Sequence, residues 1–217
     1  AHPARLTEWE QHVLDGLVRA FTESERLQRH VQFLYAKGAV YKVCNGNLLY
    51  HGAVPMTEDG SFAAETFEGK SYAGKALFDY CDRRARAGYF AAPGSPQRQA
   101  GQDFLWYLWC GRLSPIFGRS AMTTFERLYI ADKATHAEVK NPYYRHIQSA
   151  ETADRILREF GLTGEGCHII NGHVPVRAIE GESPVKGGGK IIVIDGGFCR
   201  AYHSRTPVSN TQLTLPT

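Results

Sequence analysis

Between residues 6 and 37 the apolar positions recur at helical spacing, with Trp9, Val13, Leu14, Leu17, Val18 and Phe21 on one stripe. A second helical stretch carries Leu27, Val31, Leu34 and Tyr35, and Gly38 is a suitable stop because glycine takes the left-handed cap at low cost. The period then falls to two. Residues 39–44 read as a strand, Asn45-Gly46 as a hairpin turn, and residues 47–50 as the returning strand, with His51-Gly52 directly behind it. Residues 55–70 are polar and turn-rich and read as a surface excursion, residues 74–86 as a helix, and residues 91–99, with two prolines, as a loop. Phe104, Trp106, Tyr107 and Trp109 crowd residues 102–109, which predicts a buried helix.

Thr123 or Thr124 can cap a short helix through Ile130, with Glu126 favourable in its first turn, and Ser149 can cap a helix over residues 151–160 that Gly161 ends. Residues 167–170 and 190–194 are short apolar runs that read as strands, the first ending at Asn171-Gly172-His173 and the second at Asp195-Gly196-Gly197. Helices alternating with short, nearly all-apolar strands predict an α/β domain with a covered sheet. Residues 208–217 have no core logic, and we expect a native end near Ser204.

Composition narrows the class. Of 217 residues, 43% are hydrophobic and 22% charged, which fits a globular protein with a sizeable core. A net charge of +3 without a dense basic block gives no reason to expect a nucleic-acid or membrane partner. No apolar run reaches the roughly 18 residues of a membrane span. Cys44, Cys81, Cys110, Cys167 and Cys199 are odd in number and widely spaced, as expected for reduced thiols in a cytoplasmic protein. The chain opens at Ala1 without methionine and enters a helical pattern almost at once, which implies that sequence upstream has been removed.

Two histidines stand out by position. His51 and His173 each follow an apolar strand and sit beside a glycine. Ligands of open α/β sheets gather at the carboxyl ends of strands, and imidazole binds divalent transition metals well. The pattern alone leaves open a shared ion or two structural histidines.

The stretches around them add specificity. Residues 45–55 contain strand, His51-Gly52 and Pro55, which resembles the His-Gly motif of calcineurin-like metallophosphatases. Residues 169–176 resemble their later Gly-His motif. With Trp106-Tyr107-Leu108-Trp109, residues 122–127, Lys140-Asn141-Pro142-Tyr143-Tyr144, residues 181–186 and residues 193–198, the chain most resembles the class III fructose-1,6-bisphosphatases of bacteria, from about residue 29 to residue 202.

This resemblance implies the carboxyl-terminal half of a metallophosphatase sandwich with helical insertions; we expect a helical segment at 1–38, part of the metallophosphatase domain at 39–204 and, from its lack of core logic, a non-native tail at 205–217. It implies hydrolysis of the 1-phosphate of fructose 1,6-bisphosphate, a gluconeogenic step, by a two-metal-activated water. The cofactors would be two divalent ions, manganese first, with His51 and His173 on one of them. The partner would be a small sugar bisphosphate, and a homo-oligomer is compatible with the sequence. The family's Asp-x-His, Gly-Asp-x-x-Asp-Arg-Gly and Gly-Asn-His-Asp motifs, which bring the remaining ligands and the catalytic acid, do not occur in this chain. We therefore expect this polypeptide to be inactive alone.

Other candidates follow from chemistry. Asp195 either orients a metal-bound histidine or ends a strand in a turn. Arg112, Arg119 and Arg127 offer guanidinium to phosphate. Tyr143 and Tyr144 either line a sugar pocket or belong to the core. Gly187-Gly188-Gly189-Lys190 is no P-loop, since Pro184 and Ile191 stand where glycine and a hydroxyl residue are required. The rivals are a phosphoprotein or dinucleotide-polyphosphate phosphatase of the same superfamily, and a non-catalytic interaction domain of the same fold.

Overall fold

A computed structural model of the chain describes residues 5–177 and 180–194. The chain divides into two compact units between Ala39 and Val40. The first holds α1 (Glu8–Thr22) and α2 (Glu25–Lys37). Thr7 and Glu10 close a reciprocal capping box on α1, and Ser24 caps α2 through the Leu27 N–H. The amphipathic stripe is present, but neither helix contains a buried residue.

The second unit opens with β1 (Tyr41–Cys44) and β2 (Asn47–Tyr50), an antiparallel hairpin. Asn45 and Gly46 both take positive φ, as the primed turn requires. A second hairpin, β3 (Glu65–Phe67) and β4 (Lys70–Tyr72), lies where the sequence suggested only a surface excursion. Its strands are three residues each, too short to show a period. The start of that excursion is also internal, with Pro55 and Met56 buried.

Three longer helices follow: α3 (Gly74–Phe90), α4 (Pro96–Cys110) and, after two short ones, α5 (Thr124–Tyr129) and α6 (Tyr143–His146), α7 (Ala150–Glu159). Pro96 starts α4 at its first position behind the Ser95 cap, so the expected loop at 91–99 ends early. α3 and α4 cross at Gly88 and Gly101; a Cβ on Gly88 would lie 2.2 Å from the Gly101 Cα. The aromatic helix is only half internal. Phe104 and Leu108 are buried, whereas Trp106 and Trp109 are 61% and 54% exposed, because positions 106 and 109 fall on the opposite face. Thr123 and Ser149 hold N-cap positions without the side-chain cap bond the sequence suggested.

The main sheet is completed by β5 (His168–Asn171), β6 (Val185–Lys186) and β7 (Ile191–Val193), in the order β1-β2-β5-β7-β6. β2, β5 and β7 are parallel, and β1 and β6 are antiparallel edges. The α/β expectation thus holds, as a mixed sheet with helices. Cover is unequal on the two faces. Leu48, Tyr50, Ile169, Ile191 and Val193 enter one core with Phe78, Ile156 and Phe160, while Leu49, Ile170 and Ile192 on the other face are half-buried.

Cys44, Cys81, Cys110 and Cys167 are free thiols, and burial pushes that of Cys81 up to about 12. No helix among the described residues is long and apolar enough to cross a membrane. Asp195, Cys199 and the segment 205–217 lie outside the described residues.

Candidate metal and phosphate site

β2 and β5 run parallel in register, Leu49 beside Ile170, so their carboxyl ends lie side by side. The ladder continues past the strands: the Gly172 N–H donates to the His51 carbonyl at 2.9 Å. Asn171, 2% exposed, fastens the same corner. Its Nδ2 donates to the Gly52 carbonyl at 3.2 Å and to the Tyr143 hydroxyl at 2.8 Å. The acceptor-only carbonyl fixes which way the amide points. Tyr143 in turn shares a 2.6 Å hydrogen bond with Tyr50, and burial raises the pKa of both phenols, so they remain neutral. Tyr143 is therefore a core residue.

This corner brings together two histidines 122 residues apart in sequence. His51 Nε2 lies 3.0 Å from His173 Nδ1, with the rings at 75°. His173 has φ 68°, a left-handed backbone that residues with a Cβ rarely take. Gly52 is required next to His51 by close approach: a Cβ there would stand 2.6 Å from the Pro115 carbonyl. The sequence pointed to these two histidines, and the fold joins them. Among the described residues no group of three or more His, Cys, Asp or Glu side chains could hold a metal ion.

One cavity adjoins this corner, and a second shares Lys140 with it. The smaller, about 140 Å³, is lined by Gly172 and Val174, on either side of His173, and by Lys140, Tyr144, Glu182 and Lys186. The larger, about 490 Å³, is lined by Arg112, Arg119, Lys140, Met56, Thr57 and Asn141 among others. Of the sequence candidates, Arg112, Arg119 and Tyr144 line these cavities. Arg127 lines neither: its Nε donates to the Thr123 hydroxyl at 2.9 Å and its Nη2 to the His136 carbonyl at 3.2 Å, tying α5 to the following turn. Arg119 also pairs with Glu138 at 3.0 Å. Sequence reasoning assigned no role to Lys140 or Asn171. Lys140 opens the Lys140–Tyr144 stretch, but only the tertiary structure places it on the wall of both cavities.

The fold and site define an α/β domain whose polar chemistry gathers beyond the carboxyl ends of two adjacent parallel strands. The profile of the Firmicute fructose-1,6-bisphosphatase family matches residues 1–215. The chain is 49% identical over 211 residues to the class 3 fructose-1,6-bisphosphatase of Clostridium novyi, covering 97% of this chain and 32% of that protein. It is 47% identical over 213 residues to the class 3 fructose-1,6-bisphosphatase of Bacteroides fragilis, covering 98% of this chain and 32% of that protein. No solved structure matches the chain. It belongs to the Firmicute fructose-1,6-bisphosphatase family, and it spans about a third of the length of the relatives it matches.

Proposed function

We propose that this chain serves in the hydrolysis of the 1-phosphate of fructose 1,6-bisphosphate, within a calcineurin-like metallophosphatase fold, with His51 and His173 holding one divalent ion. The observation that carries the reading is the pair of imidazole nitrogens 3.0 Å apart at neighbouring strand ends. Two nitrogens each about 2.1 Å from one ion are about 3.0 Å apart at a right angle and about 3.4 Å apart at a tetrahedral angle. The donor set therefore fits adjacent ligation of one ion, and manganese is the ion to test first. A bound divalent ion supplies Lewis-acid polarisation of a phosphoryl group and lowers the pKa of water.

The chain's own residues do the positioning. Asn171 and the Gly172 N–H lock the two strand ends, and the left-handed backbone at His173 turns its ring toward His51. With two imidazoles and no third ligand among the described residues, this chain provides part of the centre. Alone it should bind Mn²⁺ weakly and release no phosphate from fructose 1,6-bisphosphate.

The test has two arms. The complete gene product is assayed against fructose 1,6-bisphosphate, a phosphoprotein and a dinucleotide polyphosphate. His51→Ala and His173→Ala are then titrated with Mn²⁺ by calorimetry. Preference for the sugar bisphosphate, with Mn²⁺ affinity lowered in both variants, is expected. Preference for another substrate, unchanged Mn²⁺ affinity or robust turnover by the 217-residue chain alone would count against the reading.

A further inference from the structure

We propose that Arg112 and Lys140 form a subsite for a phosphomonoester dianion, the phosphate of the sugar bisphosphate that is not being cleaved. The inference rests on the phosphatase reading above and adds to it a place for the second phosphate.

Three cations and one acid line the larger cavity: Arg112, Arg119, Lys140 and Glu58. Glu58 is paired with Arg145 at 2.6 Å, and Arg119 with Glu138 at 3.0 Å. That leaves Arg112 and Lys140 outside any ion pair among the described residues, facing one cavity of about 490 Å³, with Glu182 attracting Lys140 only from farther off. A space of this size suits a sugar phosphate. Guanidinium and ammonium together match a phosphate dianion, one by its fork of donors and the other as a point charge.

Lys140 is the wall common to both cavities, and the smaller one borders Gly172 and Val174, next to His173. There Lys186 is neutralised by Glu182 at 2.5 Å, so Lys140 again carries the net charge. A ligand with one phosphate at Arg112 and Lys140 could thus extend toward the histidines.

A hydroxyl and an amide in the same region have donor capacity to spare. The Tyr144 hydroxyl is buried without a hydrogen bond and lines the smaller cavity, with the Lys140 ammonium 5.9 Å from its ring. Asn141 spends its Oδ1 on the Met56 and Tyr143 N–H groups, leaving its Nδ2 donors for a ligand oxygen. Burial, and then repulsion from Arg119 and Arg177, outweighs the attraction of Glu182 and holds the Lys140 ammonium below its usual pKa, an imbalance that a bound anion reverses.

The experiment uses the complete gene product, with fructose 6-phosphate, inorganic phosphate and fructose as probes. Calorimetry should show binding of both phosphates and none of fructose. Lys140→Gln and Arg112→Gln should each weaken fructose 6-phosphate binding by about tenfold or more, as loss of a charged hydrogen bond does. Lys140→Arg should retain most of it. In turnover, Lys140→Gln should lower the preference for fructose 1,6-bisphosphate over fructose 1-phosphate by a similar factor. Affinity and preference unchanged in both glutamine variants, with folding verified by circular dichroism, would overturn the subsite while the phosphatase reading stands. Binding that depends on Lys140 in a protein that hydrolyses no sugar phosphate would support the subsite and overturn the phosphatase reading.

Discussion

Replacing Asn171 by leucine removes the polar joint between the two strand ends while keeping the branch at Cγ. Asn171→Leu loses the hydrogen bonds to the Gly52 carbonyl at 3.2 Å and to the Tyr143 hydroxyl at 2.8 Å, each worth about 1 kcal/mol net. Tyr143 keeps Tyr50 as a partner, but the Gly52 carbonyl is left buried and unpaired, at about 1–3 kcal/mol. One gain opposes these losses: Asn171 Oδ1 is itself buried without a partner, and removing it returns about 1 kcal/mol. The net is a destabilisation of about 2–4 kcal/mol. At about 2–4 °C per kcal/mol for a chain of this size, Tm should fall by about 4–16 °C. Urea unfolding gives the free energy directly.

A double-mutant cycle isolates the link. Tyr143→Phe and Asn171→Leu should be non-additive by about 1 kcal/mol, since both remove the same bond. Additive effects, or an Asn171→Leu change within about 0.5 kcal/mol of zero, would refute the assignment of Asn171 as the fastening between His51 and His173.

Other substitutions probe the surrounding frame. Gly88→Ala should destabilise by about 1–3 kcal/mol in thermal melts, despite alanine's better helix propensity, because its Cβ would meet the Gly101 backbone; a stabilised variant would contradict the close crossing of α3 and α4. Glu159→Ala should cost about 1 kcal/mol by urea unfolding, since Glu159 Oε1 accepts the Lys75 N–H at 2.9 Å where Ala73 provides no cap for α3. Glu138 governs an acid limb. Burial pushes its carboxyl up, but the Thr123 N–H and hydroxyl and the Arg119 and Arg127 guanidiniums outweigh this and hold it below the usual glutamate range. Its contribution to stability is therefore present above about pH 4.5 and lost as pH falls through the lower folded value, and Glu138→Gln should flatten stability against pH in that window.

The sequence by itself determined the local elements whose signals are short-range. The Asn45-Gly46 hairpin, the helices with long periodic faces and the apolar strands at 167–170 and 190–194 follow from backbone preference and side-chain alternation. It also singled out His51 and His173, since a histidine beside glycine at a strand end is visible without a fold. Tertiary structure decided everything that depends on which strands become neighbours. The β2–β5 pairing puts the two imidazoles 3.0 Å apart, and no property of either segment states that register. It separated Tyr143, committed to the core, from Tyr144 at a cavity wall, although the two adjoin in sequence. It turned Arg127 to a structural bond and, among the described residues, left Lys140 and Arg112 outside any ion pair, because charge balance depends on which acids lie within a few ångströms. The three-residue strands of the second hairpin and the exposed Trp106 and Trp109 were beyond pattern reading for the same reason: a short or aromatic segment is placed by what packs against it.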